Sequence, residues 1–230
     1  MNKYPINLKE EYPEIQPDAI FRFTCSGCGD CCRNVKDSVM VESLDLFRIA
    51  RHLEMEVSEV ADQYTDSVNI APNYPVLMLK TKAYMDTCVF LRSGRCSIYP
   101  ARPRTCRMYP LSVSPDDKRN GAFLNHVVSK KKHHFTGPEY RSQDWIDANF
   151  TADDRAFINM DLRWMVRLYP LVRRVDDSWE KRLLFLSLLF RYFQFDTAEE
   201  FLPQYKRNMQ GFEKELQRLI STKNLIQGND

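Results

Sequence analysis

Along this chain the apolar positions come first in short, broken runs and later in helical periodicity. Residues 1–22 are polar and punctuated by Pro5, Pro13 and Pro17, the pattern of an extended lead-in. Val39-Met40-Val41 reads as a short strand. Over 42–53, Leu44, Phe47, Ile49 and Leu53 fall roughly on one face, which predicts a helix. A second short helix is expected over 58–64, with Ser58 as its cap. Residues 76–79 and 87–91 look like strands, and Ser93-Gly94 supplies a turn that lets Cys88 and Cys96 face each other across a hairpin. Pro103 suits the first turn of a short helix carrying Cys106.

From Ser142 onward the spacing becomes helical. Ser142 is placed to cap a helix over 143–150. Thr151 with Asp154 resembles a capping box opening a helix over 153–168, which Pro170 should end. Asp177 or Ser178 starts another helix through Leu183, Leu186 and Phe190 to Phe193. Thr197 starts a last one through Phe201, Phe212, Leu216 and Leu219, with Pro203 tolerated in its opening turn. Trp145, Trp164 and Trp179 are most simply core. The fold class implied is α+β.

Composition narrows the functional classes. At 230 residues and 43% hydrophobic content the chain can build a real core without disulfides. The longest apolar run, residues 183–190, is broken by Ser187 and is far short of a bilayer span. With 33 basic and 31 acidic residues, no global field points to nucleic acid or membrane. The start, Met1-Asn2-Lys3-Tyr4-Pro5, has no apolar stretch of signal-peptide length, so a cytoplasmic location is expected.

Cysteine carries the chemistry. All seven cysteines lie in two blocks, Cys25, Cys28, Cys31 and Cys32, then Cys88, Cys96 and Cys106. At about 3% of residues they are too sparse for a secreted disulfide scaffold, so they read as ligands rather than staples. Thiolates this close repel one another unless a cation or a covalent bond holds them. The spacing Cys25-x-x-Cys28-x-x-Cys31 suits three irons of a cubane, and it suits zinc equally well. Gly27 and Gly29 permit the tight turn both need. Adjacent Cys31 and Cys32 are expected to serve different irons, different sites, or one metal and one packing role.

Seven thiolates and one histidine make enough ligands for two closed tetrahedral sites, whereas one four-iron cluster uses four and leaves three. Between Thr87 and Pro115 there is no acidic residue but there are five arginines, Arg92, Arg95, Arg102, Arg104 and Arg107. Guanidinium groups there lower thiol pKa values and offset an anionic metal-thiolate site. His133 and His134, next to Lys130, Lys131 and Lys132, read as a solvated loop. His126, in an apolar run, reads as a satisfied core histidine, and His52 as a surface residue. No P-loop, G-x-G-x-x-G, G-x-S-x-G or H-E-x-x-H is present, and no cysteine stands apart as a lone nucleophile.

Two motifs resemble the YkgJ-type cysteine-cluster family, described as zinc- or iron-chelating. The first is Phe23-Thr24-Cys25-Ser26-Gly27-Cys28-Gly29-Asp30-Cys31-Cys32. The second runs from Cys88-Val89-Phe90-Leu91 through Arg95-Cys96-Ser97-Ile98-Tyr99-Pro100 to Cys106-Arg107-Met108-Tyr109-Pro110. Leu44-Asp45-Leu46-Phe47-Arg48-Ile49-Ala50 also looks like the family's intervening helix. The resemblance spans roughly residues 20–111 and implies metal chelation, with iron-sulfur binding in some members. Many relatives carry a further cysteine after a downstream histidine. Here that stretch reads His133-His134-Phe135-Thr136-Gly137-Pro138, which leaves a histidine to substitute for it.

The organisation expected is a lead-in over 1–22, a small cysteine-rich metal-binding module of short strands and helices over 23–140, and a mainly α-helical region packed on it over 141–230. The expected function is to hold zinc or an iron-sulfur cluster through Cys25, Cys28, Cys31, Cys32, Cys88, Cys96 and Cys106. The alternative is an iron-sulfur oxidoreductase or protein-modifying enzyme using the cluster for electron transfer. The expected partners are a metal ion or cluster and a protein docked on the helical half; neither membrane nor nucleic acid is expected.

Overall fold

The computed structural model describes residues 13–116, 118, 122–129 and 131–227. The first twelve residues of the expected lead-in and Lys130 of the basic tract lie outside the described residues. The strands are β1 (Ile20–Arg22), β2 (Met40–Val41), β3 (Thr65–Ala71), β4 (Tyr74–Leu79), β5 (Thr81–Lys82), β6 (Thr87–Cys88), β7 (Leu91–Arg92), β8 (Arg95–Cys96), β9 (Leu111–Pro115), β10 (Phe123–Val127) and β11 (Glu139–Arg141). The helices are α1 (Ser43–Leu53), α2 (Val57–Tyr64), α3 (Arg104–Met108), α4 (Ser142–Asn149), α5 (Ala152–Val172), α6 (Glu180–Leu188) and α7 (Phe201–Gln227). Short mixed strands in front and long helices behind make the class α+β. Among the described residues no helix is long and apolar enough to cross a membrane.

Packing divides the chain into two units that alternate along it, residues 1–28 with 104–152, and residues 29–103 with 153–230. In the first unit, β1 pairs antiparallel with β11, and β9 pairs antiparallel with β10. Residues 13–15 add to the β10 edge, with Ile15 N donating to Asn125 O at 2.9 Å. The core gathers Phe23, Met108, Leu111, Ile146 and Phe150. Trp145 stands edge-on to Phe23 and donates from Nε1 to Met108 O at 2.8 Å, which ties α4 to the end of α3. Ser142 was expected to cap α4. Arg141 takes that place, and Ser142 Oγ donates instead to Gln16 O at 2.5 Å.

The second unit is built on the sheet β2-β4-β3 and the helices α1, α2, α5, α6 and α7. Helix α1 buries Leu44, Leu46, Phe47, Ile49 and Ala50. It opens with a capping box between Glu42 and Asp45 that satisfies amides the helix itself leaves open. Glu56, not Ser58, precedes α2. Pro170 does not end α5, which runs on to Val172. Phe47, Phe157, Phe195, Phe201 and Tyr205 pack into one aromatic core, with Phe201 stacked on Phe195 and Tyr205, and Phe157 edge-on to Phe201. Arg48 reaches buried Asp154 at 2.6 Å, and Pro203 sits in the first turn of α7 as expected. The expected cap of the segment before α6 moves to Asp176, whose side chain accepts from Ser178 N. A π-turn over Leu189–Phe193 follows α6, and its buried Arg191 donates to Pro75 O at 3.1 Å and to Tyr74 Oη at 2.8 Å. Insertion of an extra residue into the helical ladder turns Arg191 toward the sheet.

Candidate metal centre

The C-x-x-C-x-x-C-C loop is bent by two left-handed glycines, Gly27 at φ 69° and Gly29 at φ 72°. Gly29 also opens the 3-10 turn Asp30–Cys32, where Cys32 N donates to Gly29 O at 3.0 Å. A Cβ on Gly29 would come within 3.3 Å of both Leu91 and Arg33, so close packing and backbone conformation select glycine there together. The motif splits between the units: Cys25 and Cys28 end one segment of the first, and Cys31 and Cys32 begin a segment of the second. All seven cysteines are thiols, with no disulfide among them.

In the first unit, sulfur meets imidazole. Cys28 Sγ lies 3.2 Å from His134 Nε2 and 3.9 Å from His133 Nε2, and the three donor atoms lie within 4.8 Å of one another. The 3-10 turn Lys132–His134 presents both rings, whose centroids are 4.2 Å apart and whose planes are inclined at 67°. His133 is exposed, but His134 is only 4% exposed. The solvated-loop expectation therefore fails for His134, which packs edge-on to Tyr109 and takes a hydrogen bond with Tyr109 Oη at 2.6 Å from Nδ1. Tyr109 Oη is in turn hydrogen-bonded to Ser129 Oγ, which also accepts from Lys131 N at 3.2 Å.

Gly137 locks the histidine turn in place. At φ 83° it passes so close to Thr24 that a Cβ would sit 2.8 Å from Thr24 Cβ, and Phe23 N donates to the next carbonyl, Pro138 O, at 3.2 Å. Cys25 is exposed on the loop, and Cys106 is half-buried on α3. His126 lies on β10, where Nε2 meets Ser114 Oγ at 2.8 Å. His52 is exposed on α1.

In the second unit, sulfur meets sulfur and a guanidinium. Cys31 and Cys32 have their Sγ atoms 3.8 Å apart. The hydrogen bond from Cys32, aided by the Arg102 charge, draws the Cys31 thiol down to about 7. Burial pushes Cys88 up, and the neighbouring Cys96 sulfur adds to the rise. Burial also pushes Cys96 up, against the pull of Arg102. Arg102 is held over the Tyr99 ring at 3.6 Å and donates to Tyr99 O at 3.0 Å.

Ser93 and Gly94, both left-handed, make the expected turn, but it joins β7 to β8 and pairs Cys96 with Leu91. Cys88 lies instead on β6 opposite Thr81, so the two sulfurs do not face each other across that hairpin. The other arginines serve elsewhere. Arg104 is buried over the Phe150 ring, Arg107 donates to Asn149 O at 3.0 Å, and Arg92 and Arg95 are exposed.

Residues 24–135, which hold both thiol blocks and the histidine turn, match the family model described as "CxxCxxCC: Putative zinc- or iron-chelating domain". That stretch belongs to the CxxCxxCC family. An uncharacterised protein of Methanocaldococcus jannaschii is 34% identical over 101 residues, covering 43% of this chain and 48% of the relative. The chain thus spans about half the length of that curated relative. No solved structure matches.

Proposed function

We propose that this protein is a metal chelator and that its first unit takes zinc on Cys28 Sγ, His133 Nε2 and His134 Nε2. One observation carries the reading, the convergence of one thiol and two imidazole nitrogens from positions over a hundred residues apart in the chain. Zinc bonds sulfur at about 2.3 Å and nitrogen at about 2.0–2.1 Å, so tetrahedral coordination sets S and N about 3.5 Å apart. The distances of 3.2 and 3.9 Å bracket that value. The donor set also fits by type, since mixed thiolate and imidazole is zinc's usual company. Three protein donors leave a fourth position, for which Cys25 and Cys106 are the thiols of the same unit. Bound zinc supplies a cross-link between the cysteine loop and the histidine turn, and Lewis acidity if the fourth position holds a small molecule.

Iron is the second reading, and the four thiols of the second unit favour it. Cys31, Cys32, Cys88 and Cys96 are all-sulfur donors of the kind that hold iron-sulfur clusters, and Arg102 offsets their charge. A redox function would rest on that group. Elemental analysis of protein purified without oxygen tests both readings. Stoichiometric zinc without acid-labile sulfide supports the first, and iron with sulfide supports the second. Folded protein with neither metal would overturn chelation altogether.

A further inference from the structure

We propose that Tyr109 is a positioning residue for metal capture, its hydroxyl holding the Nδ1 proton of His134 so that the Nε2 lone pair faces Cys28 and an incoming ion. The inference rests on the zinc reading of Cys28, His133 and His134. Ligation through Nε2 needs the ring proton on Nδ1. The group at that nitrogen is Tyr109 Oη, 2.6 Å away. Once Oη accepts from Nδ1, its own hydrogen can go to Ser129 Oγ. Ser129 Oγ is itself held at 3.2 Å by the amide of Lys131, the residue just before the histidine turn.

In that arrangement the hydrogen bonds run from a buried imidazole through a phenol to a serine. Reversing them would put the proton on Nε2, where it would point at the sulfur and block the metal. With the proton on Nδ1, Nε2 of the metal-free protein accepts from the Cys28 thiol instead. His133, which is exposed, is the more adaptable of the two nitrogen donors.

Tyr109→Phe removes the hydroxyl and keeps the ring against Phe23, its neighbour at 6.0 Å. In long-range proton-nitrogen spectra of metal-free protein, wild-type His134 should show the Nδ1–H form, and the variant should show a substantial Nε2–H population. Zinc affinity, measured against a competing chelator, should fall by about 10–100-fold, the usual effect of losing a partner behind a metal-bound histidine. Ser129→Ala should give a smaller loss, and the double variant should bind no more weakly than Tyr109→Phe alone. Ser129→Ala leaves the aromatic packing intact and carries the test if Tyr109→Phe does not fold. Wild-type tautomer and affinity in the variants would overturn the proposal. Absence of zinc binding by the wild type would overturn the zinc reading instead, and the tautomer comparison would then decide the role of Tyr109 alone.

Discussion

In the first unit Cys28 sits 3.2 Å from an imidazole nitrogen, whereas in the second Cys31 sits 3.8 Å from another sulfur with Arg102 acting on it. The contrast is one of charge. One thiolate and two neutral imidazoles bring a divalent ion a single negative charge. Four thiolates around the same ion leave a net negative charge, and a guanidinium becomes useful. The supporting contacts differ accordingly: a neutral tyrosine stands behind His134, and an arginine stands beside Cys31 and Cys96.

Cys28→Ser should break the contrast most completely. It removes the sulfur of the mixed group, and the zinc content of the purified protein should fall by a full equivalent while the thiols of the second unit keep theirs. Unchanged metal content would remove Cys28 from any site. Next in size is Gly137→Ala, which forces a side chain into a left-handed conformation and against Thr24. A cost of about 1–3 kcal/mol in chemical denaturation is expected, together with weaker zinc binding as the histidine turn moves away from the cysteine loop. A fully stable variant with intact binding would show that the two segments are not locked there.

Replacing the histidines singly should separate burial from ligation. His134→Ala should destabilise even the metal-free protein by about 1–3 kcal/mol, because Tyr109 loses a buried partner. His133→Ala, at an exposed position, should stay within about 0.5 kcal/mol while still weakening zinc binding. Equal costs would mean that His133 packs as His134 does.

Thiol reactivity addresses the second unit. A thiol pulled down to about 7 is largely thiolate at pH 8, where an ordinary one is still mostly protonated, so Cys31 should alkylate well before Cys88 and Cys96 in metal-free protein. Cys32→Ser should slow that reaction, and Arg102→Gln should slow it less, in the order of their influence on Cys31. The sign for stability follows. A thiol more acidic folded than unfolded adds stability at high pH and loses it as pH falls through about 7. At an exposed residue such as Cys31 this effect is small, so reactivity is the more sensitive measure. Cys88 alkylating first would reverse the assignment.

Local signals made much of this legible beforehand. The periodicity of Leu44, Phe47 and Ile49 located α1, and Ser93-Gly94 located a real hairpin turn because two left-handed residues in succession have few other uses. Non-local geometry was not legible. Thr87 through Leu91 looked like one strand, but the chain breaks at Val89-Phe90 into β6 and β7, and that break takes Cys88 out of the hairpin that carries Cys96. His134 was hidden by its lysine neighbours, which favour solvent, while the groups that bury it, Tyr109 and Cys28, lie 25 and 106 residues away. The available hint was Gly137-Pro138, a rigid and left-handed exit from the histidine turn that a simple solvated loop does not need. Pro170 failed as a helix stop because, near the end of α5, loss of one amide costs little.

The alternation of the two units along the chain bears on biosynthesis. Residues 29–103 emerge from the ribosome between the two segments of the first unit, and residues 104–152 emerge between those of the second. Cys28 must therefore wait through about a hundred residues of translation, roughly ten seconds at ordinary rates, before His133 and His134 exist to meet it. Neither unit can be cut out as a continuous fragment. During that interval Cys28 has no histidine beside it, and the thiol–imidazole group exists only once the histidine turn has been made.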